Sequence, residues 1–505
     1  MKKIAYLILI ALFILPSAQL SAQKKNSSAA SAKKDQHNIV FNIPNAKDSI
    51  VYLAVYYRDK LILKDSARVT KTKNGPQFIF KGENEYQGGL YKLVSQTHYP
   101  YMDFVMDGPQ FFSFTCGTTG SADSVTVTNS PHNDELMAFQ RKTSTAGKQM
   151  SEWRKSFDEA KKADNQKEAD EYQEKMKNLN EEMETFIKDI IARHPDYLFS
   201  KIQNAYQSID IPDAPVNPDG TIDSTFQLRY FLTHYWDNID LGDSRLIFTP
   251  VLEPKLKEYF TKYLQYQEPD TICKYVDMVL EKSSSDTLMY HFLIDWLSYQ
   301  YETSKLLGHD GVFVHIVKNN HMKGKCTWME EDLLRKYEKR VKHLEPILIG
   351  KIAPELVIPD TSLTDDYSHW HSSYRPKGAV TKPYVILWFY DPDCPTCKKE
   401  SQKLRAVYDS LERIGQRNFD VYAVANDADI DRWKKYVKEN NYPWINVGGN
   451  KGNVDYLELF NIYESGNPAM FIINSKHEII LNRRIEMNSI PEFLRQYEKR
   501  ISQKP

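Results

Sequence analysis

The sequence predicts a multi-domain protein with an N-terminal β-sandwich, a central α-helical domain and a C-terminal α/β domain. The chain has 505 residues, which is too long for a single hydrophobic core. Residues 37–130 consist of short runs with alternating apolar and polar side chains, as strands do. Residues 131–344 carry apolar side chains at helical spacing, and residues 345–505 combine apolar runs with helical patterns.

The overall composition excludes some classes of protein. The formal net charge is −1 and the isoelectric point is about 6.9, so neither nucleic acid nor an anionic surface is indicated as a partner. Five cysteines are too few for a disulfide-rich scaffold. Cys116, Cys273 and Cys326 are isolated and predicted to be small buried hydrophobes, whereas Cys394 and Cys397 form a close pair.

Residues 1–22 have the pattern of a secretory signal peptide, with a basic start, an apolar run over residues 4–15 and then small polar residues. Cleavage is expected after Ala22, and an uncleaved anchor is the alternative. Residues 23–36, rich in Ser, Ala and Lys, are predicted to be a linker. We expect export to the periplasm of a Gram-negative bacterium, with no membrane span after cleavage.

The first two domains show no catalytic motif. Runs such as "SIVYLAVYY" and "FFSFTC" predict the strands of the sandwich, and Gly, Pro and Asp separate them. The highly charged start of the central domain predicts two long helices that form a hairpin broken near residues 163–165. Its charges are predicted to be a solvated face.

The C-terminal domain begins with a strand that the sequence predicts to be buried on both faces, "PYVILWFY" at residues 383–390. A helix is expected over residues 395–413, a second strand over 419–426, and a strand pair at 469–474 and 478–484. A last helix ends the chain. This order of strand, helix, strand, hairpin and helix is that of a thioredoxin fold.

The motif "CPTC" lies at the junction of the first strand and helix. Pro395 suits the first helical position, which puts the Cys394 sulfur at a helix N-terminus, where a thiolate is favoured. Cys397 follows one turn later and can resolve a mixed disulfide by attacking Cys394.

The charges beside the motif oppose one another. Lys398 and Lys399 favour a thiolate, whereas Asp391 and Asp393 disfavour a further negative charge. The sequence therefore leaves the direction of the redox reaction open.

Two other roles for the cysteine pair are disfavoured. A structural zinc site needs about four ligands, but the chain has no second CxxC, and nothing places His369 or His371 at the pair. A structural disulfide within one helical turn would close too short a loop to stabilise the fold much. A redox-active dithiol is the remaining interpretation.

Three segments resemble a known family. "GKIAPELVIPD" (350–360) resembles the opening hairpin of redoxins. "YVILWFYDPDCPTCKKE" (384–400) resembles the strand and CxxC helix of TlpA/ResA-like thiol–disulfide oxidoreductases, and "ESGNPAMFIIN" (464–474) resembles their later loop and strand, where a cis-proline faces the dithiol. The "DPDC" form is similar to that of multi-domain exported redoxins whose β-rich and helical domains have no known function.

The resemblance implies roles for six residues. Cys394 would be the nucleophile and Cys397 the resolving thiol. Pro468 matches the cis-proline, so Pro468 and Asn467 would dock a cysteine-containing partner, with Pro395 and Thr396 beside them.

The resemblance also implies reduction of disulfides in periplasmic proteins, such as cytochrome apoproteins or proteins with oxidised cysteines. A membrane dithiol carrier would donate the electrons, and no metal or organic cofactor is implied.

The sequence departs from the family at four positions. Asp393 stands where the family often has Trp, and Pro395 and Thr396 replace the more usual Gly-Pro or Glu-Pro. Trp388 occupies the position of the buried acid of cytosolic thioredoxins, so no carboxylate there can act as a base for Cys397. These departures put the redox potential in question and leave the chemistry unchanged.

Two other functions remain open. A thiol peroxidase shares the fold, but its Thr-x-x-Cys pattern is not matched, because Asp391 stands three residues before Cys394. A non-catalytic binding protein with a vestigial dithiol is the second alternative, since residues 37–344 make up more than half the chain.

Overall fold

The computed structural model describes residues 35–502, apart from residues 98, 118–120, 365, 377–381, 427–428 and 450–451. The predicted signal peptide and almost all of the predicted linker lie outside the described residues. The described chain has an N-terminal sheet, a central helical region and a C-terminal sheet with helices, so the predicted multi-domain fold class is confirmed.

The N-terminal sheet contains eight strands in the order β6-β5-β2-β3-β4-β1-β7-β8. The strands are β1 (His37–Asn42), β2 (Ile50–Tyr57), β3 (Lys60–Thr72), β4 (Gly75–Gly82), β5 (Gly89–Val94), β6 (Pro100–Met106), β7 (Phe111–Thr115) and β8 (Thr126–Thr128). Strand β3 pairs with β2 through residues 60–68 and with β4 through residues 69–72, so one strand joins both halves of the sandwich. The two halves pack face to face. The ring centroids of Phe41 in β1 and Phe104 in β6, which belong to opposite halves, lie 5.4 Å apart.

The central region is built from helices. Its α-helices are α1 (Pro131–Lys162), α2 (Gln166–Arg193), α3 (Leu198–Asn204), α4 (Phe226–His234), α5 (Leu252–Glu258), α6 (Pro269–Lys282), α7 (Thr287–Glu302), α8 (His309–Ile316) and α9 (Glu331–Leu344). The predicted break between α1 and α2 is confirmed, and the side chain of Asn165 caps α2 by accepting from the N–H of Glu168. Among the described helices, none is long and apolar enough to cross a membrane.

The C-terminal region is built on a five-stranded sheet in the order β13-β12-β11-β14-β15. Its elements are β9 (Val357–Pro359), β10 (Trp370–Ser372), β11 (Tyr384–Tyr390), α10 (Pro395–Arg413), β12 (Phe419–Ala425), α11 (Ile430–Asn440), β13 (Ile445–Val447), α12 (Tyr456–Leu459), α13 (Ile462–Ser465), β14 (Ala469–Ile473), β15 (Ile479–Leu481) and α14 (Ile490–Ser502). All seven residues of β11 are buried, as the apolar run predicts. Strand β11 runs parallel to β12 and antiparallel to β14.

Helix α9 of the central region contacts the segment that leads into β14. Lys339 Nζ and His343 Nδ1 lie 3.5 and 3.4 Å from the same carboxylate oxygen of Glu464. The central helices therefore adjoin the loop that contains Asn467 and Pro468.

Candidate functional site

The two cysteines of the motif lie at the N-terminus of α10, directly after the buried strand β11. Cys394 is the N-cap residue, with φ −70° and ψ 114°, and Pro395 is the first helical residue. The Sγ of Cys394 accepts a hydrogen bond from the backbone N–H of Cys397 at 3.2 Å. Both cysteines are free thiols. A sulfur held in this way is placed where the helix favours negative charge.

The two thiols differ in their environment. Cys394 is half-buried, whereas Cys397 is fully buried in the core between α10 and the sheet. Burial is the main cause that raises the pKa of the Cys397 thiol to about 12. Near neutral pH Cys397 is therefore protonated and shielded. This asymmetry is the one that a nucleophilic and a resolving cysteine need.

A tight turn carries the chain from β11 to Cys394. The backbone carbonyl of Asp391 accepts from the N–H of Cys394 at 3.1 Å, and its carboxylate accepts from the N–H of Asp393 at 2.7 Å. The exposed carboxylate of Asp393 forms an ion pair with Arg432 of α11. Arg432 therefore offsets a negative charge that the sequence places next to the dithiol.

Sequence reasoning missed Arg432, although a signal for it exists. Strands β11 and β12 are parallel, and the segments that follow parallel strands leave the sheet at the same edge. Helix α11 begins shortly after β12, so its first turn was a candidate neighbour of the dithiol loop.

Trp388 contributes no acid or base to the site. It is fully buried, and its indole N–H donates to the Ser401 hydroxyl of α10 at 2.9 Å. This bond fixes the helix against β11 one turn beyond Cys397.

The predicted docking residues lie at the neighbouring strand end. The Asn467–Pro468 peptide bond is cis. Ala469 pairs with Phe389, which places Pro468 across from the last residue of β11, where the dithiol loop begins. Among the described residues, the buried Oδ1 of Asn467 has no hydrogen-bond partner. Pro395 and Thr396 are exposed.

The histidines considered as metal ligands are engaged elsewhere. His369 Nδ1 and His371 Nε2 lie 3.2 and 3.3 Å from Oδ2 of Asp360, on the β9–β10 hairpin. In the part of the chain that the structure describes, no group of three or more His, Cys, Asp or Glu side chains is arranged to hold a metal ion.

Two protein families match parts of this chain. Residues 161–344 match a domain of unknown function (DUF5106), and residues 382–479 match the thioredoxin-like family. No curated protein matches the chain.

Several solved structures are similar to parts of this chain. A thioredoxin-like protein from Bacteroides caccae is 17% identical, with 57% of this chain and 100% of that chain covered and a TM-score of 0.41. A domain of a possible thiol-disulfide isomerase from Cytophaga hutchinsonii is 30% identical, with 32% and 99% covered and a TM-score of 0.27. The thioredoxin domain of a thiol-disulfide oxidoreductase from Bacteroides vulgatus is 20% identical, with 30% and 96% covered and a TM-score of 0.24.

The family match over residues 382–479 falls on the segment that forms the five-stranded C-terminal sheet, so the sequence match and the fold identify the same region as thioredoxin-like. Through its C-terminal domain, this chain belongs to the thioredoxin-like family.

Proposed function

We propose that this protein is an exported thiol–disulfide oxidoreductase that reduces disulfides of periplasmic proteins through Cys394 and Cys397. One observation carries the proposal. A half-buried sulfur caps a helix and accepts a backbone hydrogen bond, and a fully buried thiol follows it by one turn. A partly exposed nucleophile paired with a shielded thiol is the arrangement that disulfide exchange uses.

The exchange proceeds in two steps. The Cys394 thiolate attacks one sulfur of the substrate disulfide, the substrate S–S bond breaks, and the leaving sulfur takes up a proton. Cys397 then loses its proton and attacks Cys394, which releases the second substrate sulfur as a thiol. Two electrons pass to the substrate, and a Cys394–Cys397 disulfide remains.

The high pKa of Cys397 has a consequence for the first step. Because the thiol is protonated near neutral pH, it does not compete with Cys394 for the substrate. It acts as a nucleophile only in the second step, when the mixed disulfide at Cys394 lies one helical turn away.

A partner would dock on the surface around the helix start. Pro395 and Thr396 are exposed there, and Asn467 and Pro468 lie at the adjoining strand end.

The cellular setting of the proposal follows from the leader pattern of residues 1–22. An exported reductase needs a supply of electrons, and we infer a membrane dithiol carrier as the donor. The exchange itself uses only sulfur atoms and protons, so no metal or organic cofactor is required.

The test is the reduction of a disulfide-bonded model protein, insulin, with dithiothreitol as the electron donor. We expect the mature protein to accelerate the reaction and Cys394→Ser to abolish the acceleration. Cys397→Ser should also be inactive, and the reduced variant mixed with insulin in the absence of dithiothreitol should accumulate a covalent mixed disulfide through Cys394. Folded protein that neither accelerates reduction nor traps a partner would contradict the proposal and favour a binding role with a vestigial dithiol.

A further inference from the structure

Helix α9 of the central region contacts the short helix that leads into the docking loop, by which we mean Asn467 and Pro468. Glu464 lies in that short helix, α13, three residues before Asn467. One carboxylate oxygen of Glu464 lies 3.5 Å from Nζ of Lys339 and 3.4 Å from Nδ1 of His343. Two side chains of one helix therefore converge on a single oxygen beside the docking loop.

The two contacts of Glu464 differ in their exposure to solvent. The side chain of Lys339 is 67% exposed, whereas that of His343 is 14% exposed. Lys339 carries a permanent charge but is well solvated, and His343 is shielded but is charged only when protonated. Each contact alone is therefore weak, which sets the scale of the effects expected below.

Helix α9 is a firm support because it packs on the other central helices. Val341 of α9 is buried. The ring of Tyr337 packs edge to face against that of Phe313 in α8, with the ring centroids 5.4 Å apart. Nε of Arg340 lies 3.6 Å from a carboxylate oxygen of Glu302, at the end of α7. The central region thus fixes the position of α9 and of the side chains that face the docking loop.

A second set of contacts joins the central region to the strand pair that follows the docking loop. Asn482, directly after β15, donates to the Asp310 carboxylate of α8 at 2.5 Å and to the carbonyl of Ile347 at 3.1 Å. The N–H of Gly350 donates to the carbonyl of Ile479 in β15 at 2.8 Å. Strand β15 pairs with β14, which begins directly after the docking loop. The central region therefore holds both the helix before the loop and the strand pair after it.

The packing around α13 leaves that helix room to move. A cavity of about 430 Å³ separates the end of α9, at Pro346, from α12, at Leu459, and His343 also lines it. On its other side, α13 is anchored by Ile462, which is buried in the core beneath the sheet. Helix α13 is thus held from one side by the core and from the other by Glu464, beside a space into which it can shift.

We propose that α9, through Lys339 and His343, holds Glu464 and thereby positions the docking loop for a partner polypeptide. Glu464 is a positioning residue, because it acts through the loop and takes no part in the exchange of disulfides. The inference rests on the proposed function, since the loop matters for docking only if Cys394 reacts with a partner. It gives the central helical region a role in partner binding and none in the chemistry of the thiols.

The first experiment measures the kinetics of insulin reduction by the mature protein with dithiothreitol as the donor. Glu464→Lys places a cation opposite Lys339 and should raise KM for insulin about two- to fivefold, as expected for a solvated charge contact. The kcat should stay unchanged. The rate at which iodoacetamide alkylates Cys394 should also stay unchanged, because this small reagent does not need the docking loop.

A charge swap and a matched control accompany this experiment. Lys339→Glu alone should raise KM, because it faces Glu464 with a like charge. Lys339→Glu combined with Glu464→Lys restores a pair of opposite charges and should return KM towards that of the unmodified chain. The matched control is Lys336→Glu, at an exposed position of the same helix, which should leave KM unchanged. Circular dichroism confirms that each variant is folded.

The second experiment follows the loop itself and needs no activity. The N–H groups of Ser465 and Gly466 donate to the carbonyls of Asn461 and Ile462 at 2.9 and 2.8 Å, so their hydrogen exchange reports on α13. We expect Glu464→Lys to accelerate their exchange about two- to fivefold and the charge swap to reverse this. Exchange of the β11 amides should not change.

The outcomes separate this inference from the proposed function. If the unmodified chain does not reduce insulin, the proposed function fails, and hydrogen exchange still decides whether α9 holds the loop. If insulin is reduced but Glu464→Lys leaves KM unchanged, or if the charge swap does not lower a raised KM, the inference is wrong. Unchanged exchange at Ser465 and Gly466 in Glu464→Lys would overturn it in either case.

Discussion

Arg432 of α11 forms an ion pair with Asp393, the residue directly before Cys394. The Asp393 side chain is 58% exposed and that of Arg432 is 41% exposed, so the pair is well solvated. Its importance comes from its position, because it lies beside the sulfur on which a negative charge would develop.

The first prediction concerns this pair. Arg432→Ala leaves the Asp393 carboxylate without this cation, which disfavours a thiolate at Cys394 and so destabilises the reduced form. The reduction potential of the dithiol should therefore become more negative. The shift should be below about 20 mV, because exposed ion pairs contribute at most about 1 kcal/mol. Equilibration in glutathione and dithiothreitol buffers measures it.

A cation on the same helix is the control for the first prediction. Lys435 also belongs to α11, but it pairs with Glu439, further along the helix. Lys435→Ala should leave the potential unchanged. A shift to a more positive potential in Arg432→Ala would show that the pair does not act through the charge of Asp393.

The second prediction follows from the burial of Cys397. Its pKa of about 12 leaves it with roughly a thousandfold less thiolate at about pH 8 than an ordinary cysteine has. Iodoacetamide should therefore label Cys394 long before Cys397 in the folded, reduced protein, and peptide mass spectrometry reports the ratio. Both residues should react at similar rates in urea. Equal labelling of the folded protein would mean that the core around Cys397 opens readily.

The local features of the dithiol site were predictable from sequence. The fully apolar strand, the proline at the first helical position and the two-residue gap between the cysteines are all local signals. They suffice to place Cys394 and Cys397 at a strand–helix junction. The break between α1 and α2 was equally local.

The features that sequence reasoning missed depend on how distant segments pack. Arg432 is 39 positions from Asp393, and Asn482 is 172 positions from Asp310. Helix and strand periodicity does not encode such pairs. The continuous strand β3 was also not predicted. Its residues 60–66 are all exposed, so they show no alternation of buried and exposed positions that would indicate a strand bending between the two halves of the sheet.

The third prediction concerns the bond that holds α10 against β11. Ser401→Ala removes the acceptor of the buried Trp388 indole N–H, and an unsatisfied buried donor costs about 1–3 kcal/mol. Hydrogen exchange of the β11 amides in the full chain should accelerate accordingly. Ser410→Ala is the matched control, since Ser410 is exposed on the same helix. Equal exchange in the two variants would show that the indole finds another partner.

The fourth prediction concerns acid stability where the N-terminal sheet meets the helices. Arg245 binds both Asp107, directly after β6, and Asp243, and Lys201 of α3 also binds Asp243. Burial alone would raise the pKa of Asp243, but hydrogen bonds from Arg245 and Lys201 outweigh it and lower the pKa to about 2.

The sign of the acid effect follows from that lowered pKa. Asp243 stabilises the folded state above its unfolded pKa of about 3.9, and this contribution is lost as the pH falls towards about 2. The loss should amount to roughly 2–3 kcal/mol. Asp243→Asn should therefore be less stable at neutral pH and should lose less stability on acidification than the unmodified chain. Thermal unfolding by circular dichroism, with the exposed Asp158→Asn as control, measures the difference. If both variants show the same acid dependence as the unmodified chain, the Asp243 cluster does not anchor the junction.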